Sequence, residues 1–385
     1  MVKMRCRTSS DIALLLLCWF IAGCSGLQVR GIIAGQTLES RVDSEIARYY
    51  LADYLAGNPA APALDSRIDQ VYEKINGHIP DHNELKEISS EFSPDFAALF
   101  FADEIARKPL NRRFREIFDK SYNYTREAFP KNQLQLPEAA ANYDLLFVPT
   151  YLYKRFGFTG ADLAVPRKAL QRAGFRGFFV ETADDGPIES NADLIMAAIR
   201  AHAQAGRRLI IISVSKSGPE VALALTKLGP SGTSHVAAWI NCVGALQGTP
   251  LIDDKVLPEF EFFVGKVDEA GVESLSMAQS RKRFQSFNIP EEVLVVNYFG
   301  IPVSGSLSFR GRRGFYPMQK YGPNDGVILL ADMVYPGGLT VTELGSDHFL
   351  KERPVDIVSV SLTMAVVQWL ERREPKRMSS DGAEN

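Results

Sequence analysis

One stretch of this 385-residue chain stands out for the chemistry its residues could perform: Ile210-Ile211-Ile212-Ser213-Val214-Ser215-Lys216-Ser217-Gly218-Pro219-Glu220-Val221-Ala222. An apolar run of strand length ends, a serine follows, and a helical pattern begins almost at once. A serine held on so sharp a turn is exposed and becomes an acyl-accepting nucleophile if a base takes its proton. Such a turn needs small residues two before and two after the serine, because the backbone there is crowded and strained. Ser213 and Ser217 meet that need, Gly218 adds room, and Pro219 falls in the first helical turn, where proline is tolerated. The bland alternative is a serine-rich turn that caps a helix.

The base must be a histidine, and the chain has five. His78 and His82 lie in an N-terminal helical stretch. His202 sits among polar helical residues and is expected to face solvent, and His235 is at the entrance of a strand. His348, in Leu344-Gly345-Ser346-Asp347-His348-Phe349, follows the last expected strand. In sheets of alternating strands and helices, functional groups gather at the carboxyl ends of the strands, so His348 is the candidate. An acid should orient its ring. Asp325 lies in a Pro-Asn-Asp-Gly turn, Tyr321-Gly322-Pro323-Asn324-Asp325-Gly326-Val327. Asp253, Asp254, Asp332 and Asp347 are its rivals, with Asp347 second because it adjoins the histidine and neighbours along a strand end point apart.

These residues resemble the bacterial lipases and esterases of the α/β-hydrolase superfamily. Ser213–Ser217 resembles the G-x-S-x-G nucleophile elbow with serine in place of both glycines, Asn324–Val327 resembles the N-D-G-(V/L)-V acid loop, and the order Ser215, Asp325, His348 is that of the family. Gln247-Gly248-Thr249-Pro250 is similar to the segment that follows the sixth strand of lipases, without its usual Pro-His. The resemblance covers about residues 143 to 372. It implies a serine esterase acting through an acyl-enzyme, with no metal and no organic cofactor. It also implies an oxyanion held by the Lys216 N–H and by a second amide, assigned to Tyr151, where the family often has His-Gly and this chain has Pro149-Thr150. An amidase, thioesterase or acyltransferase could run on the same three residues, and so could a catalytically inactive scaffold keep the same fold.

The elements that must position these groups are legible as a change of texture at Tyr143. From there strand-like runs, Leu145–Pro149, Gly177–Glu181, Arg208–Val214, Val236–Val243, Val293–Tyr298 and Leu339–Leu344, alternate with helical stretches at Asp162–Ala173, Asn191–Ala205, Gly218–Leu228, Ala270–Phe287 and Pro354–Arg373. That alternation predicts a mainly parallel twisted sheet covered by helices on both faces, the α/β class. Before it, helices are expected at Thr37–Leu55, Leu64–Asn76, from a capping box at Asp81 and Glu84, from the N-cap Ser93, and at Leu110–Phe129. Pro258–Phe263 is an aromatic cluster that could cap an acyl pocket or serve as ordinary packing, and Arg310–Gly314 is expected to be a solvated basic loop, with contact to an anionic group as the alternative.

At the N-terminus, Lys3, Arg5 and Arg7 precede an apolar run, Ile12 to Ala22, too short to span a bilayer and of signal-peptide length. It ends Ile21-Ala22-Gly23-Cys24, which resembles the bacterial lipobox, so Cys24 is the expected site of lipid attachment. The expected organisation is a lipoprotein signal peptide at 1–23, a tether at 24–36, a helical N-terminal region at 37–141, the α/β-hydrolase domain at 142–373 and a disordered tail at 374–385. The expected setting is the bacterial cell envelope, at the outer membrane facing the periplasm, with an acyl ester, of a lipid or of another alcohol, as substrate. Once Cys6 and Cys18 leave with the signal and Cys24 carries lipid, only Cys242 is left and no internal disulfide can form. The net charge of −3 gives no reason to expect nucleic acid as a partner. Nothing in the residues names a protein partner.

Overall fold

The computed structural model describes residues 26–203, 206–253, 267–351 and 353–380. Six strands form one parallel sheet: β3 (Tyr143–Val148), β4 (Gly177–Phe179), β5 (Arg208–Val214), β6 (Val236–Cys242), β7 (Leu294–Ile301) and β8 (Leu339–Leu344). Their order across the sheet is β4-β3-β5-β6-β7-β8, and every neighbouring pair is parallel. Alternate residues of each strand feed two apolar cores, one on each face. Leu146, Val148, Leu209 and Ile211 pack into the first, and Leu145, Phe147, Ile210 and Ile212 into the second. Burial on both faces explains why β5 reads as a continuous apolar run rather than an alternating one. This is the α/β architecture expected from the sequence.

The N-terminal part departs from its expected form. Residues 27–33 are not a tether. They form β1 (Leu27–Ile33), antiparallel to β2 (Gln36–Val42). The helix expected over Thr37–Leu55 is therefore a strand as far as Val42, followed by α1 (Glu45–Tyr49) and a wider turn of helix over Tyr50–Tyr54. Leu38 and Val42 are four residues apart, a spacing that suits one face of either a helix or a strand. The burial of Gln36, Leu38, Ser40 and Val42 has the two-residue period of a strand. The helices α2 (Pro62–Ile75), α3 (His82–Glu91), α4 (Pro94–Arg107) and α5 (Pro109–Ala128) follow. Asp81 caps α3 in a full capping box with Glu84, and Ser93 caps α4.

This region shares both cores with the sheet. Residues of β1, β2 and α1–α4 join the first core, and Phe114, Ile117 and Phe118 of α5 join the second. It also seals the exposed edge of β8, whose unpaired backbone groups would otherwise invite another strand. Asn111 accepts from the Thr340 N–H at 2.9 Å, and Arg115 donates to the Thr342 carbonyl at 2.9 Å. The Gln36 amide bridges the Thr342 carbonyl and the Leu344 N–H at 3.0 and 2.9 Å, as a neighbouring strand would.

Between the strands lie α6 (Ala164–Ala173), α7 (Ile188–Ala201), α8 (Ser217–Thr233), α9 (Pro250–Asp253), α10 (Glu269–Glu273), α11 (Met277–Phe284) and α12 (Gly311–Met318). The helix expected over Ala270–Phe287 is thus two short ones. At the end, α13 (Val355–Ser380) runs well into the stretch expected to be a disordered tail. Arg, Glu, Lys and Met are good helix formers, so a polar composition there does not stop a helix that is already nucleated.

Candidate active site

The elbow forms where β5 gives way to α8. Ser215 has φ 55°, in the left-handed region that a non-glycine residue adopts only under constraint. The constraint is visible: the Ser215 N–H donates to the Cys242 carbonyl at 2.9 Å, and its carbonyl accepts from Gly218 and Ala245 at 2.9 and 3.1 Å. Serine suits the two flanking positions because each hydroxyl is used. The buried Ser213 hydroxyl accepts from the Trp239 indole at 2.8 Å. The Ser217 hydroxyl accepts from the Val214 N–H at 2.8 Å and lies 3.0 Å from the Val148 carbonyl. Gly218 cannot be larger, since a Cβ there would come within 2.8 Å of Asn241 and Gly244. Strain of this kind recurs around the rim. Leu152, Val243 and Leu350, after β3, β6 and β8, have φ of 58°, 44° and 48°, and clustered outliers of this sort mark functional sites.

Three side chains far apart in sequence meet here. The His348 Nε2 lies 3.2 Å from the Ser215 hydroxyl, and its Nδ1 lies 2.7 Å from Asp325 Oδ2. Asp325 is fully buried, and its other oxygen accepts from the Val327 and Ile328 amides at 2.9 and 2.7 Å. Its backbone carbonyl takes the His348 N–H at 2.9 Å, so the acid holds the histidine at two points. The acid loop is itself wedged. Gly311 and Gly314 of α12 lie against Asp347 and Gly326, where a Cβ would come within 2.2 and 2.1 Å. Thr249, in the Gln247–Pro250 segment, donates to the Val327 carbonyl.

The rivals have other duties. Asp347 accepts from the Ser308 and Phe349 amides at 2.8 and 3.0 Å, and Asp253 from the Met277 amide at 3.0 Å. Asp254 lies outside the described residues, as do Cys24 and the Pro258–Phe263 cluster. His78 pairs with Glu84 at 2.8 Å, and His235 contacts the Ile199 carbonyl at 3.0 Å. His202 is half-buried rather than solvent-facing and stacks on Phe178 with 3.9 Å between ring centroids. The arginines of the basic loop, Arg310, Arg312 and Arg313, point outward.

The loop after β3 brings to the elbow a residue that sequence reasoning missed: the Lys216 N–H donates to the Thr150 hydroxyl at 3.1 Å. The Thr150 and Leu152 amides hold the loop itself, bonding to the Ala161 and Asp184 carbonyls at 3.0 and 2.8 Å. Tyr151, between them, places its ring centroid 5.9 Å from the Lys216 ammonium. That ammonium turns inward: Lys216 is 2% exposed and pairs with Glu220, itself 1% exposed. Two residues after a strand in a loop, Thr150 carries no sequence signal beyond its place in the loop after the first core strand.

No family model matches the sequence, and no curated protein matches it either. Solved structures do. A metagenomic carboxyl esterase is 19% identical, with a TM-score of 0.50 over 62% of this chain and 78% of its own. The lipase BlEst2 of Bacillus licheniformis in its mature form is 20% identical, with a TM-score of 0.48 over 61% of this chain and 94% of its own. At 19% identity the likeness to the carboxyl esterase shows the fold alone, an α/β-hydrolase fold.

Proposed function

We propose that the protein is a serine hydrolase that cleaves a carboxylic ester through an acyl-enzyme. The observation that carries this reading is the hydrogen-bonded chain from the Ser215 hydroxyl through His348 to a buried Asp325. His348 Nε2 takes the serine proton as the oxygen attacks the acyl carbonyl, and Asp325 holds the ring in the right tautomer and stabilises the imidazolium. The oxyanion meets the Lys216 and Tyr151 amides, with the Thr150 hydroxyl beside them, and the amino end of α8 adds its favourable field. His348 then returns the proton to the leaving alcohol. Water repeats the cycle and frees the acid. A fluorophosphonate probe should label the wild-type protein at Ser215 and leave Ser215→Ala unlabelled, with ester turnover lost in parallel. A folded wild type that neither labels nor turns over short- or long-chain p-nitrophenyl esters would refute the reading.

We also propose that Cys24 carries lipid and tethers the enzyme to a bacterial envelope membrane. The support is the run Ile21-Ala22-Gly23-Cys24 behind a short apolar segment. Among the described residues no helix is long and apolar enough to cross a membrane. Metabolic labelling with a clickable fatty acid should be abolished in Cys24→Ser, and undiminished labelling would refute the anchor.

A further inference from the structure

Lys216 is an odd neighbour for a nucleophile. A lysine on the first turn of a helix at a sheet rim can reach water easily, yet this one is buried and its ammonium is spent inside the protein. It donates to Glu220 one turn along α8 and to the Gly186 carbonyl at 2.8 Å. Glu220 also accepts from the buried Asn191 amide at 2.8 Å. Asn191 in turn brackets the Ala183 backbone, accepting its N–H at 2.9 Å and donating to its carbonyl at 3.1 Å. The three side chains thus fasten the 182–186 loop to the nucleophile helix.

That loop carries the other side of the site. The Asp184 carbonyl accepts from the Leu152 N–H at 2.8 Å, and its carboxylate from the Lys154 N–H at 2.7 Å. The Thr182 carbonyl accepts from the Tyr153 hydroxyl at 3.0 Å, and Asp185 pairs with Arg155 at 3.1 Å. Four links therefore run from 182–185 to residues 152–155, just after Thr150 and Tyr151. On the far side Gly271 of α10 closes against Asp185, where a Cβ would come within 1.7 Å of its carbonyl oxygen. The loop is clamped between the elbow, the oxyanion wall and α10.

Stability is a poor reason for such a device. Taking a lysine and a glutamate out of water costs several kcal/mol per ion, and well-packed apolar replacements of buried ion pairs are often neutral or stabilising. What a buried, hydrogen-bonded pair supplies is a fixed direction, and catalysis by aligned donors is sensitive to displacements of about 1 Å. We infer that Lys216, together with Glu220 and Asn191, is a positioning residue for acyl transfer, in that its ammonium anchors the 182–186 loop and through it sets the Thr150–Tyr151 wall against the elbow. This rests on the hydrolase reading above. Lys216 then serves twice: its backbone N–H is a donor to the reacting oxygen, and its side chain sets the distance to the second donor.

The test is the full chain carrying Lys216→Met with Glu220→Leu, which removes the pair and leaves no orphaned charge. Its thermal midpoint should stay within a few degrees of wild type. With p-nitrophenyl acetate, kcat should fall about 10- to 100-fold while KM stays within about threefold, and fluorophosphonate labelling of Ser215 should slow in step. Glu220→Gln keeps the shape and removes only the charge, and is expected to fall in between on kcat with the same split. A folded double variant with wild-type kcat overturns the inference. If the double variant does not fold, a Glu220→Gln protein with kcat within twofold of wild type overturns it instead. An inactive wild type would sink the hydrolase reading and this inference with it, whereas an active wild type beside an indifferent variant sinks this inference alone.

Discussion

Among the described residues two histidines stand beside buried aspartates, and one pair is hydrogen-bonded while the other is not. In one, His348 and Asp325 have side chains 9% and 0% exposed and are joined at 2.7 Å. In the other, His82 and Asp332 are 13% and 0% exposed and stand 3.9 Å apart. The two acids are seven positions apart. Asp325 sits on a turn that aims two amides at one of its oxygens and leaves the other for the histidine. Asp332 sits in the short helical turn Leu330–Met333, and neither of its oxygens has a hydrogen-bond partner among the described residues. Its nearest cation is Arg281, at 3.8 Å. Without such donors, desolvation outweighs Arg281 and pushes the Asp332 carboxyl up to about 7.

The widest gap between the pairs should appear in turnover. Asp325→Asn keeps the shape of the acid loop but favours the wrong histidine tautomer, and kcat on a p-nitrophenyl ester should fall by about four orders of magnitude. Asp332→Asn should leave kcat/KM within about twofold of wild type. Steady-state kinetics on the two purified variants decide this. Comparable losses in both would mean that Asp332 takes part in the chemistry and that the contrast drawn from hydrogen bonding is wrong.

A smaller effect should appear in stability. An unfolded aspartate titrates near 3.9, so between about pH 4 and 7 the native state keeps a proton on Asp332 that the unfolded chain has released. Stability contributed at this site is then full at low pH, falls as pH rises through that window, and stays low above the native value of about 7. Asp332→Asn has no such burden. Its advantage over wild type in urea unfolding should be negligible at pH 4 and grow toward pH 8, with a ceiling of about 4 kcal/mol set by the three-unit shift. A difference that does not change with pH would contradict the assignment.

How much of this was legible in the chain follows from what each residue's neighbours could announce. The strands of the sheet announce themselves because both faces are buried, and Ser215, Asp325 and His348 because each ends a strand or sits on a turn of distinctive composition. The β1–β2 hairpin was not legible, since Leu38 and Val42 fit two periods. Nor was the inward turn of Lys216. A Lys and a Glu four apart on a helix ordinarily form an exposed pair, and only the 182–186 loop, distant in sequence, shows that this one is internal. Thr150 was hidden for the same reason: its partner, the Lys216 N–H, is 66 positions away. The His82–Asp332 pair is harder still, because failing to bond is a property of a few tenths of an ångström in side-chain placement and has no compositional trace.

The finest test of the comparison uses His82 itself. Burial, helped by Arg281 and Lys86, lowers its imidazole to about 4, against about 6.5 in an unfolded chain. Between those values the unfolded state holds a proton that the native state lacks, so this group alone would make stability rise with pH. Asp332 does the reverse over most of the same window. The native pair is a neutral acid beside a neutral ring and the unfolded pair is an anion beside a cation, so the two states carry equal numbers of protons from about pH 4 to 6.5, and the slopes cancel. His82→Gln should uncover the Asp332 slope, with urea midpoints that fall from pH 4.5 to 6.5 relative to wild type. Asp332→Asn should uncover the opposite slope over the same range. Parallel midpoints in wild type and His82→Gln would mean that the 3.9 Å gap closes in solution, and the two pairs would then be alike.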